Sequence, residues 1–133
     1  VKGFVLDASV AACWAFSDES HEVASRALDL VTNEPAWVPQ LWWYEVRNTL
    51  LMSERRGRIA PTDTAVFLRD LVEMLIEIDD HRDGEHVLAL ARTHTLTIYD
   101  AAYLEAAIRL ALPLATLDKD LRKAAKKARV PLI

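Results

Sequence analysis

Four acidic residues stand where a charge is hardest to accommodate. Asp7 closes the apolar run Phe4-Val5-Leu6, and Asp118 closes Leu114-Ala115-Thr116-Leu117. Asp100 sits among Tyr99, Ala101 and Ala102, and Glu45 interrupts Leu41-Trp42-Trp43-Tyr44-Glu45-Val46, the most aromatic part of the chain. A carboxylate in such company must be paired, hydrated or bound to a cation. Taken singly, each has a plain explanation: Asp7, Ser9 or Asp118 can cap the helix that follows it. Taken together, Asp7 and Asp118 occupy equivalent places, just after a short apolar strand and just before a helix. In open α/β sheets the carboxyl ends of the strands border the ligand crevice. Four carboxylates gathered there would repel one another, raise each other's pKa and weaken the fold locally unless a divalent cation neutralised them. An all-oxygen donor set suits Mg²⁺ or Mn²⁺.

The neighbours of these acids have two readings each. Ser9 and Thr116 can contact a phosphate oxygen or a metal-held water, or can cap helices. Asn48 lies one helical turn from Glu45 and is expected to orient it by a hydrogen bond. Asp120 reads as a solvated first-turn residue. An anionic substrate needs a basic rim around an acidic pocket. Lys119, Arg122, Lys123, Lys126, Lys127 and Arg129 supply one group, and Arg47, Arg55, Arg56 and Arg58 another. Any one of them can equally belong to an ordinary solvated helix face. His21, His81, His86 and His94 show no three- or four-residue helical spacing and are not expected to be ligands. Trp14, Trp37, Trp42 and Trp43 read as core, and Cys13 as a small buried residue.

Strands separated by helices must position these groups. The first strand covers Phe4 to Leu6, with a short helix to Phe16 after it. Ser17-Asp18-Glu19-Ser20 is expected to cap a second helix ending near Thr32, with Val23, Ala24, Ala27, Leu28 and Val31 as its apolar stripe. Ala36 to Val38 is a second strand, followed by a long helix from about Gln40 to Arg56 that Gly57 ends. Pro61 opens another helix, Leu75 to Ile78 is a third strand, and the polar loop Asp79 to Gly84 leads into a helix carrying Val87 and Leu90. An alanine-rich helix runs from Tyr99 to about Leu112. Pro113 to Leu117 is a fourth strand, Lys119 to Ala128 a basic helix, and Val130 to Ile133 a terminal strand. This alternation predicts a single α/β domain over 1–133, with a mostly parallel sheet covered by helices.

Composition narrows the function classes. The 133 residues are 52% apolar and 27% charged, which is ordinary globular usage and gives no sign of disorder. The net charge of -4 excludes a protein coated in basic surface but leaves room for a local basic strip. One cysteine permits neither a disulfide framework nor a thiolate metal site. No apolar run reaches the length of a membrane helix, and no basic-then-apolar leader opens the chain, so a soluble cytoplasmic protein is expected.

The ordered set of acids resembles a known family. Val5-Leu6-Asp7-Ala8-Ser9, Pro39-Gln40-Leu41-Trp42-Trp43-Tyr44-Glu45-Val46-Arg47-Asn48, Tyr99-Asp100-Ala101-Ala102-Tyr103-Leu104-Glu105 and Leu114-Ala115-Thr116-Leu117-Asp118-Lys119-Asp120-Leu121 resemble, in order, the four acidic motifs of PIN-domain nucleases. A stand-alone domain of this size is most similar to the VapC toxins of VapBC toxin–antitoxin pairs. The resemblance implies a three-layer PIN-like domain with about five parallel strands in the order 3-2-1-4-5. It implies that Asp7, Glu45, Asp100 and Asp118 hold one or two Mg²⁺ or Mn²⁺ ions. The metal activates water for phosphodiester hydrolysis with no covalent enzyme intermediate. Asp100 or Asp118 could relay the proton. RNA as substrate, with Arg47, Lys119, Arg122 and Lys123 on the substrate rim, a VapB-like antitoxin and a homodimer are implied in the same way.

Competing readings are separable. A strand ending in Asp also opens haloacid-dehalogenase and response-regulator sites. The former wants a second Asp where this chain has Ser9, and neither explains Glu45. A catalytically silent PIN binding module has no physical need for clustered like charges. A PIN nuclease of RNA maturation or decay without an antitoxin would be told apart by the neighbouring reading frame.

Overall fold

The computed structural model describes Val1–Ile133 throughout, and it places the sheet at the centre of the molecule. Its strands are β1 (Phe4–Leu6), β2 (Ala36–Pro39), β3 (Ile76–Asp79) and β4 (Leu114–Ala115). All pair in parallel, in the order β3-β2-β1-β4. The helices are α1 (Ala8–Cys13), α2 (Glu22–Leu30), α3 (Leu41–Arg55), α4 (Pro61–Val72), α5 (Gly84–His94), α6 (Ile98–Leu110) and α7 (Lys119–Lys127). They flank the sheet in two groups. α1 packs on α2 and α3, and α3 on α4, whereas α6 packs on α5 and α7 and lies across β1, β2 and β4.

The β1 strand is central in both sequence and energetics. Phe4, Val5 and Leu6 are completely buried, because β2 and β4 flank the strand and helices cover it. A continuous apolar run is what such a position demands. Each of these side chains contributes about 1.5–3 kcal/mol by burial. The strand can start where it does because residue 3 is glycine: with φ at 115°, a Cβ there would lie 2.0 Å from the Pro35 carbonyl oxygen. Leu6 then delivers Asp7 to the carboxyl edge of the sheet, beside the end of β4.

The structure departs from the sequence reading at several element ends. The terminal strand shrinks to a single parallel bridge between Leu114 and Leu132, so the sheet has four strands rather than five. Pro131 has no N–H to extend the ladder. The fourth strand keeps only Leu114 and Ala115 of the expected five residues. α2 starts at Glu22 rather than after Ser17, because Asp18 and Glu19 are engaged by Arg58 at 3.2 and 3.5 Å instead of capping a helix. α1 is also shorter than expected, and its N-cap residue is Asp7 rather than Ser9. Trp42 is buried as expected, but Trp43 is 43% exposed and Trp14 and Trp37 are half-buried. Cys13 is a free buried thiol.

Candidate active site

Asp7 is the most enclosed of the four acids, with 5% of its surface exposed. Although it occupies the N-cap position of α1, its side chain makes no capping bond. Its Oδ2 accepts instead from Thr116 Oγ1 at 2.6 Å and Ser9 Oγ at 2.8 Å. The two hydroxyls are themselves oriented from the chain after β4: Leu117 N–H donates to Ser9 Oγ at 3.1 Å, and Asp118 N–H to Thr116 Oγ1 at 3.1 Å. Thr116 is fully buried and Ser9 partly so. Burial pushes the Asp7 carboxyl above the usual carboxylate range, the two hydroxyls oppose that shift, and the charge of Asp118 adds to it.

The other three acids arrive from three helices. Glu45 projects from α3 and accepts from Tyr103 Oη at 2.6 Å. Tyr103, on α6, is completely buried, and its Oη also accepts from the Ala8 N–H at 3.4 Å. One phenol thus ties α6 to α3 and to the first turn after β1. Burial raises the Glu45 pKa, and the charges of Asp7 and Asp100 raise it further. Asp100 lies in the first turn of α6, where its N–H donates to the Thr97 hydroxyl cap at 3.1 Å. Its pKa is pushed up to about 6, first by burial and then by Asp118, Asp7 and Asp120. Asp118 does cap its helix, its Oδ1 accepting from the Leu121 N–H at 2.8 Å, and its Oδ2 remains free.

These shifts trace one electrostatic neighbourhood: each of the four acids raises, or is raised by, at least two of the others. None of the four forms an ion pair with a basic residue of the chain. Glu45 and Asp118 each accept one hydrogen bond on one carboxylate oxygen and keep the other free, and Asp100 is held by Thr97 alone. An uncompensated all-carboxylate set with free oxygens fits a hard divalent cation. No three of these acids bring ligand oxygens mutually within 4.8 Å, a spacing that suits coordination partly through water.

The surrounding residues divide. Asn48 is exposed and makes no hydrogen bond to Glu45; it lines a neighbouring cleft, and Tyr103 does the orienting instead. Arg122 donates through Nη1 to the Thr116 carbonyl at 2.8 Å and so braces the end of β4. Arg47 lies 3.6 Å from the Trp43 ring centre and donates to the Trp43 carbonyl at 3.1 Å. Lys119 and Lys123 on α7 are exposed and unpaired. His21, which sequence spacing leaves isolated, comes together with Cys13 and Glu19, their ligand atoms lying within 4.8 Å of one another. Tyr103 escaped the sequence reading because a tyrosine on an alanine-rich helix looks like core; its signal was its place three residues, almost one helical turn, after Asp100.

Residues 4–127 match the PIN domain family, a span that contains all four acids. The chain is a PIN domain. Its sheet order β3-β2-β1-β4 matches the first four places of the expected order 3-2-1-4-5. Among known proteins it is 33% identical over 120 residues to Ribonuclease VapC3 of Pyrobaculum aerophilum, covering 88% of this chain and 90% of that protein. In three dimensions it is similar to the crystal structure of PAE2754 from Pyrobaculum aerophilum. That similarity has a TM-score of 0.73 at 22% identity, over 91% of this chain and 83% of that one. At that identity the likeness speaks for the fold alone. No helix of this PIN domain is long and apolar enough to cross a membrane.

Proposed function

We propose that this PIN domain is a divalent-metal-dependent endoribonuclease and the toxin of a VapBC-type pair. The observation that carries the reading is the set of four carboxylates at the sheet edge that no cation of the chain neutralises. The similarity to a protein named a ribonuclease supports RNA as the substrate. Asp7, Glu45, Asp100 and Asp118 would hold Mg²⁺ or Mn²⁺, which when bound lowers the pKa of water and offsets charge developing on the phosphodiester.

The chain's own residues do the rest. Ser9 and Thr116 fix the Asp7 carboxylate by donating to Oδ2 and would thereby hold it in place for an ion. Tyr103 holds Glu45 in one rotamer. Asp100 or Asp118 would relay the proton from the attacking water. Lys119 and Lys123 are free to meet the phosphates of the substrate, whereas Arg122 acts by bracing Thr116 and Arg47 is partly engaged by Trp43. An antitoxin or a second copy of the chain would find apolar surface on α3, α4, β3 and the turn between the last two, where Trp43, Val72, Ile78 and Leu75 are exposed.

Protein freed of any partner should cleave RNA with Mg²⁺ or Mn²⁺ and stop when a chelator is added. Equal cleavage in excess chelator would contradict the metal mechanism.

A further inference from the structure

A cleft of about 560 Å³ opens between α1 and the C-terminal half of α3. Ser9 and Leu117 form its inner end. Ser9 donates to the Asp7 carboxylate and accepts from the Leu117 N–H, so the cleft adjoins the acid cluster through Ser9. Its volume lies in the range of sites that hold a small organic group.

The lining is divided in a way that matches a nucleotide. Leu117 and Met52 give it an apolar floor. Asn48 and Thr49 line one wall with side chains that make no hydrogen bond inside the protein. Arg56 stands at the outer end, exposed and outside every ion pair. From Asn48 to Arg56 the helix advances roughly 12 Å. That is room for a few nucleotides of a strand at about 3.4 Å each. The other lining residues include Cys13, Glu19 and His21, whose ligand atoms lie within 4.8 Å of one another, together with Phe16 and Arg58. Arg58 stacks on Phe16 at 4.1 Å and is paired with Asp18 and Glu19, and the Cys13 thiol, with its pKa pushed up to about 12 by burial and Glu19, stays protonated. A cleft of about 310 Å³ near α7, lined by His94, Asp120, Lys123 and Lys127, has almost no apolar floor on which a base could lie.

We propose that the α1–α3 cleft binds a nucleobase of the RNA strand next to the scissile phosphate and thereby selects the cleavage position. The base lies on the apolar floor, Asn48 and Thr49 read its edge, and Arg56 holds the phosphate beyond it. The proposal rests on the nuclease reading above.

Two variants test it: Thr49→Trp, which fills the cleft from an exposed position, and Arg56→Ala, which removes its free cation. Each is compared with the unaltered protein on a single-stranded RNA and on bis(p-nitrophenyl) phosphate, a diester with no base. In Thr49→Trp the ratio of kcat/KM for RNA to kcat/KM for the small diester should fall at least about tenfold, with a changed cleavage pattern, as expected for loss of one stacked base. In Arg56→Ala the RNA KM should rise and its salt dependence should weaken by about one phosphate contact. An unchanged ratio and cleavage pattern in both variants overturns the cleft while leaving the nuclease reading intact. Failure of the unaltered protein on both substrates overturns the nuclease reading and the cleft with it.

Discussion

Helix α6 carries two acids in opposite circumstances, five residues apart. Glu105 is almost fully buried, yet it is neutralised inside the chain: Arg109 donates to it through Nε at 2.8 Å and also grips Asp79 at the end of β3. Those two carboxylates hold the Arg109 guanidinium above its ordinary pKa. Asp100 and its three companions have no such partner, and burial together with neighbouring acid charge raises the pKa values of Asp7, Glu45 and Asp100. The fold thus contains its own solution for clustered acids and applies it at only one of two sites. The Glu105–Arg109–Asp79 trio fastens α6 to the sheet, whereas no cation of the chain neutralises the four-acid site.

The largest expected effect separates the two clusters by function. Asp7→Asn should lower RNA cleavage more than about 100-fold, beyond what loss of a supporting hydrogen bond around a metal costs. The same variant should raise the melting temperature of the chelator-treated protein, because it removes a buried charge that repels its neighbours. Full activity in Asp7→Asn would show that the acids are not the site. Arg109→Ala should do the reverse, destabilising the fold by about 3 kcal/mol because Glu105 is left buried and unpaired. Added Mg²⁺ should not restore that loss in denaturant melts, and a change under about 1 kcal/mol would show that the trio is an exposed pair in disguise.

Tyr103→Phe probes the connection between the clusters and the sheet. Removing the Oη that holds Glu45 should weaken Mn²⁺ binding about 10- to 100-fold, with a stability loss of only about 1 kcal/mol. Unaltered metal affinity would reduce Tyr103 to a core residue.

The smallest effect is on pH. The Asp100 pKa rises in the folded state from 3.8 to about 6, so the folded chain holds that proton more tightly than the unfolded one. The resulting stability is complete below about 3.8 and is lost as pH rises through about 6. Allowing for partial exposure, the contribution is about 1 kcal/mol. Thermal melts in chelator should therefore show a stability decline across that window that Asp100→Asn flattens, and identical pH profiles would count against the shift.

The acids were legible in the sequence because a charge at the end of an apolar run has few reasons to be there. Asp7 after Phe4-Val5-Leu6 and Asp118 after Leu114 to Leu117 announced both the strands and the edge they share. The roles of single neighbours were not legible. Asn48 has the helical spacing to reach Glu45, but spacing fixes only a helix face, and the side chain turns to the cleft. Tyr103 and the Glu105–Arg109–Asp79 trio depend on contacts between residues 58 and 30 positions apart, which local periodicity does not encode. The missing fifth strand has a local cause, Pro131, that a count of apolar residues overlooks.

The claim that the four-acid site takes its countercharge from outside is tested most directly by calorimetric titration of Mn²⁺ into metal-stripped protein, with Asp7→Asn beside it. Saturable binding to the unaltered protein, lost or greatly weakened in Asp7→Asn, is the expected result. Absence of binding, or equal binding by the two, would contradict it.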